Sequence, residues 1–134
     1  MGGIDVSGEL REIYWLATLG RAEAYQFLCL WHEWCHQIDD LVDGMPGCVI
    51  DVCADAAVLF TNPFFVEQAS RLLPVVAVVA EKYRTSLLDA PELDFLRFAG
   101  NDMVLSVAAI CGGRALVRQV SDRLWPVVIQ TQIA

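Results

Sequence analysis

A chain of 134 residues is long enough for one domain with a real hydrophobic core, without disulfide or metal staples. Its net charge of −8, with Lys82 the single lysine, excludes nucleic acid as a ligand, because gripping phosphates takes clustered positive charge. At 56% hydrophobic and 19% charged it is more apolar than an average soluble domain, yet no apolar run reaches the roughly 18–20 residues of a membrane span.

The N-terminus, MGGIDVSGELRE, lacks the basic-then-apolar order of a signal peptide, so a cytoplasmic, soluble protein without membrane contact is expected. Surplus apolar surface then predicts a homo-oligomer. Ser7, with Glu9 and Leu10 after it, predicts a capped first helix over about 8–19, ended near Gly20. A long second helix follows over about 21–43 and stops at Gly44-Met45-Pro46-Gly47. A third covers about 48–60, ended by Thr61-Asn62-Pro63. Pro63 suits the first turn of a fourth helix over about 64–88, which Pro74 divides or kinks. Pro91 opens a fifth over about 91–111, closed by Gly112-Gly113. A last helix covers about 114–124, and Trp125-Pro126 turns the chain into a short tail. Strand alternation and hairpin dipeptides are missing. The fold class is therefore all-α: one domain over residues 1–134, a compact bundle of five to seven helices with no significant sheet.

Cys29, Cys35, Cys48, Cys53 and Cys111 form no CxxC pair, so reduced, mostly buried thiols are expected. Trp15, Phe60, Phe64, Phe65, Phe98 and Trp125 read as core or interface aromatics.

The second helix carries the most specific stretch, HEWCHQIDDLVD at 32–43. At about 100° per residue, His32, His36, Asp39 and Asp43 fall in one stripe about 60° wide, with Asp40 and Glu33 on its flank. Both histidines of the protein lie in this stripe. Like charges three and four apart repel, so Asp39, Asp40 and Asp43 call for a cation: a metal, or an arginine from another helix. The bland alternative is an amphipathic helix with its polar face in water.

His32-Glu33-Trp34-Cys35-His36 has the HExxH spacing, in which two histidines share a helix face to hold zinc and the glutamate polarises water. Glu33 is then the catalytic base of a zinc hydrolase. The positions seven and ten after His32 hold Asp39 and Val42, not the glycine and ligand of the metzincins. Asp39-Asp40-Leu41-Val42-Asp43 resembles the DDxxD motif of the isoprenoid synthases, all-α enzymes. Matched position for position, that resemblance implies Asp39, Asp40 and Asp43 as ligands of Mg²⁺ or Mn²⁺ bound to a diphosphate. RFAGNDMVLS at 97–106 is similar to their second motif, but its serine stands at 106 rather than 105 and Ala109 replaces the last acid. The small all-α NTP pyrophosphatases fit the chain length better; their ExxE is matched at Glu9 and Glu12, their second acidic pair only loosely. Glu33-x-x-His36 also has the spacing of di-iron bundles.

In the fifth helix, Arg97, Asn101 and Asp102 are polar groups set into an apolar segment, and each needs a partner. They are expected either as a structural lock, with Arg97 bridging to Asp39 or Asp43, or as supporting groups of a site opposite the stripe. Gly100 beside them permits close approach of another backbone or a ligand.

The function expected from these residues is a small metal-binding protein, possessing Mg²⁺- or Mn²⁺-dependent phosphate or diphosphate hydrolase activity, with zinc as the alternative ion. The competing class is a non-enzymatic acidic helical protein that binds a protein partner.

Overall fold

In a computed structural model, residues 7–133 are described, and they form six α-helices with no strand among them. The all-α expectation holds. The reading of residues 1–6 as free of a leader lies outside the described residues.

The first helix, α1 (Gly8–Ala17), starts where Ser7 Oγ accepts the Leu10 N–H at 3.2 Å, and ends where Leu19 and Gly20 take positive φ. The second, α2 (Ala22–Val42), stops at Gly44, also at positive φ. The third is α3 (Val49–Phe60). Pro63 opens the short α4 (Pro63–Glu67), whose cap is Asn62. The Asn62 Oδ1 accepts the Phe65 N–H at 3.1 Å, and its Nδ2 donates to the Glu23 carbonyl at 3.1 Å, pinning α4 to the start of α2. Asn62 is buried. Asn62→Ala removes the acceptor of the Phe65 N–H and the tie to the Glu23 carbonyl, an expected cost of about 1–2 kcal/mol in chemical denaturation; a change within about 0.3 kcal/mol contradicts this cap.

The fourth predicted helix divides at Gln68, not at Pro74. Helix α5 (Ala69–Arg84) runs straight through Pro74. A proline there removes a single bond to the carbonyl one turn back, and burial of Leu72 and Val79 on either side holds the helix together. After α5 comes a π-helical turn, Thr85–Asp89, and then a 3₁₀ helix, Asp94–Asn101. The segment expected as α-helix from Pro91 is thus 3₁₀ over its first part. The last helix, α6 (Asp102–Ile133), is interrupted only at Gly113 (φ 74°, ψ −167°). It continues through Pro126 to Ile133 instead of ending near 124, because Val120, Leu124 and Val128 keep one buried stripe across the proline.

This continuation also makes Asp94–Gln130, 37 residues, long and apolar enough by length and composition to cross a membrane. Here the segment is the spine of the bundle: α1 and α5 pack on α6, the 3₁₀ helix packs on α5, and α2 packs on α3 and α4. Phe27 stacks on Phe65 (5.4 Å between centroids) and touches Phe64 and Trp31, so α4 closes one end of the core. Of the core and interface roles expected for Trp15, the core one does not hold: it is 53% exposed and rests edge-on against Tyr25. Helix α3 is apolar yet shows Val49, Ile50 and Val58 to solvent. All five cysteines are free; Cys48 and Cys53 are exposed, contrary to the expectation of mostly buried thiols.

Candidate functional site

Helix α2 is amphipathic in the way the wheel predicts. Phe27, Leu28 and Trp31 point into the core, while His32, His36 and Asp39 line a cavity of about 440 Å³. The opposite walls come from α5 (Val76, Val79, Ala80, Tyr83, Arg84), the π turn (Leu87, Leu88) and the 3₁₀ helix (Arg97, Phe98, Gly100, Asn101). Tyr14 of α1 and Val104 of α6 complete it.

The cation that Asp39 and Asp43 require is Arg97. Its guanidinium donates to Asp39 and, at 2.9 Å and 3.1 Å, to both oxygens of Asp43. The Tyr83 hydroxyl also donates to Asp39, and the Arg97 guanidinium lies over the Tyr83 ring, 5.7 Å from its centre. Burial, the largest single influence on Arg97, works against its charge. The hydrogen bonds to Asp39, Tyr83 and Asp43 outweigh that and hold it firmly charged. Burial, then the Asp39 bond, pushes the Tyr83 phenol up to about 12. Of the two roles expected for Arg97, a structural bridge to the aspartates and a supporting group of a site, the bridge is formed.

His32 and His36 lie one turn apart with ring centres 4.4 Å from each other. His32 Nδ1 shares a 3.2 Å hydrogen bond with the Tyr14 hydroxyl. Burial, and secondarily the neighbouring His36, lower the His32 pKa to about 4, so this imidazole is uncharged at neutral pH. Burial likewise pushes the Cys35 thiol up to about 12, an inert group in the wall.

The remaining expected site residues fall elsewhere. Glu33 and Asp40 are half-exposed and off the cavity wall. Asp43 reaches the site only through Arg97. Asp102 turns to Lys82 of α5, in a 2.6 Å ion pair. Asn101 lines the cavity, but its Nδ2 caps the Phe98 carbonyl of its own segment at 3.0 Å. Gly100 does allow close approach: its carbonyl accepts the Trp31 indole N–H at 2.9 Å, although an added Cβ would meet Cys35 Sγ at an ordinary 3.5 Å. Glu12 is on α1, 3.7 Å from Arg123, and does not join Asp39 or Asp43.

Among the described residues no group of three His, Cys, Asp or Glu side chains is arranged to hold a metal ion. The groups that sequence reasoning missed are Tyr14 and Tyr83. Both sit at helical spacing among buried apolar residues, Leu10 and Ala17 for one and Val79 for the other, where a tyrosine reads as core.

What the fold and site define is a helical bundle with an apolar, partly aromatic cavity and, on its wall, an arginine shared by two aspartates. Comparison with protein-family models, curated proteins and solved structures gives no significant match.

Proposed function

We propose that this protein binds a small organic molecule in the cavity between α2, α5 and the 3₁₀ helix. The observation that carries this reading is the cavity itself. At about 440 Å³ it has the size of a ligand pocket, with an apolar wall and a few converging polar groups. Trp31, Trp34, Val79 and Phe98 supply the apolar surface; His36 and Asn101 supply groups that fix orientation.

Ala80 is exposed and belongs to the cavity lining, so it stands at the entrance. Ala80→Trp fills that entrance without touching the buried core. Native mass spectrometry of protein purified from cells is expected to show a retained small molecule on the wild type and none on the variant. Identical spectra from the two, with no retained mass on either, count against the proposal.

Divalent-cation chemistry on phosphate or diphosphate is a second proposal, favoured by the pairing of His32 and His36 one turn before Asp39. It requires Mg²⁺, Mn²⁺ or Zn²⁺ to displace the Arg97 guanidinium from Asp39. A thermal shift with any of these ions plus pyrophosphate, lost in Asp39→Asn, supports it; no shift removes it. Self-association through the exposed apolar face of α3 is compatible with either proposal. We read Asp94–Gln130, which is 3₁₀ at its start and broken at Gly113, as a core segment of a soluble protein. Burial of Met103, Val104, Val107 and Leu124 supports this, as do the charges of Arg114, Arg118, Asp122 and Arg123 within it.

A further inference from the structure

We infer that the pocket favours an organic cation, an amine or quaternary ammonium group carried on an apolar body. This rests on the small-molecule proposal above and names the class of its ligand.

The charges around the cavity lead to it first. Two arginines lie in the wall, Arg84 and Arg97, and both are more than compensated. Arg97 holds Asp39 and Asp43; Arg84 holds Glu81 at 2.9 Å and Asp89 at 3.2 Å. Of their four carboxylate partners only Asp39 lines the cavity; Asp43, Glu81 and Asp89 stand outside it on exposed side chains, so the excess of carboxylate over guanidinium lies around the rim and acts at longer range. The buried histidine on the wall, His32, adds no positive charge at neutral pH. The protein as a whole, at −8, repels anions as well.

The wall chemistry leads to the same class. Tyr14, Trp31, Trp34, Tyr83 and Phe98 all line the cavity, and π faces attract cations. The molecule already uses that attraction at this spot, where Arg97 lies over Tyr83. A carboxylate or phosphate ligand would instead have to draw a guanidinium away from two carboxylates before gaining anything. An uncharged ligand gains from the apolar wall alone.

Three probes of similar shape separate these outcomes: benzyltrimethylammonium, its uncharged carbon analogue neopentylbenzene, and the anion phenylmethanesulfonate. Affinities are read by ligand-observed NMR titration on the full chain. The cation is expected to bind about tenfold tighter than the anion, with the neutral analogue between them. Asp43→Asn and Asp89→Asn, both on exposed side chains, are expected to weaken the cation about twofold to fivefold and to leave neopentylbenzene unchanged. The preference narrows at high salt, as a screened field requires. Equal affinities, or the anion binding best, overturn the cation inference while leaving the pocket proposal intact. Failure of all three probes to bind wild type any better than Ala80→Trp overturns the pocket proposal itself.

Discussion

Arg97→Met is expected to lower stability by about 2 kcal/mol in urea denaturation. The substitution keeps a side chain of similar length but leaves Asp39 and Asp43 one turn apart with no cation between them. Removing one partner of a fully buried pair costs about 3–5 kcal/mol, and an exposed pair is worth under about 1 kcal/mol. Arg97, with 29% of its side chain exposed, lies between these limits, and Asp43, at 46%, keeps much of its hydration. The Tyr83 hydroxyl still serves Asp39, which moderates the loss. Adding Asp39→Asn and Asp43→Asn to Arg97→Met relieves the repulsion and is expected to restore part of the difference. A loss below about 0.5 kcal/mol for Arg97→Met, the range of ordinary surface changes, contradicts a structural role for the cluster.

Acid sensitivity through His32 is the second large effect. Its pKa falls from 6.5 to about 4 on folding, chiefly through burial and then through His36. Between those values the unfolded chain binds a proton that the native imidazole refuses, so stability rises with pH across that range. The His32 contribution is complete above pH 6.5 and is lost as pH falls through 4. Because the ring is partly solvated, the expected size is about 2 kcal/mol. Denaturation of wild type and His32→Gln at pH 7 and pH 4.5 isolates it from the carboxylates that titrate in both. His32→Gln is expected to show the shallower dependence. Tyr14→Phe is expected to keep most of the slope, since burial rather than the Tyr14 bond is the main cause. Parallel pH profiles for wild type and His32→Gln contradict a desolvated His32.

The helical period was enough to place His32, His36 and Asp39 on one face of α2 and to set Arg97 as a partner for Asp39 or Asp43. Those relations are local, or follow from the need of a buried charge for a counter-charge. Ser7, Gly20, Gly44 and Pro63 mark helix ends for equally local reasons. What the sequence could not display was set by tertiary burial. Pro74 and Pro126 read as breaks, but the buried stripes through Leu72 and Val79, and through Leu124 and Val128, carry the helices across them. The 3₁₀ winding of Asp94–Asn101 changes which side chains share a face, and Asp102 leaves the site for Lys82. Tyr83 joins Asp39 from a helix more than forty residues away, with no motif to announce it. HExxH and DDxxD overlap in one stretch, yet Glu33 and Asp40 stand off the cavity while Asp39 and Asp43 share an arginine.

The four tryptophans offer the most direct test of a ligand pocket, because Trp31 and Trp34 line the cavity while Trp15 and Trp125 do not. Indole N–H resonances in a ¹⁵N-correlated spectrum report each one separately during titration with benzyltrimethylammonium and neopentylbenzene. Saturable shifts of Trp31 and Trp34 in wild type, absent in Ala80→Trp, with Trp15 and Trp125 unmoved, are the predicted result. Shifts confined to Trp15 and Trp125, or no saturable shift of Trp31 and Trp34 with either probe, would contradict it.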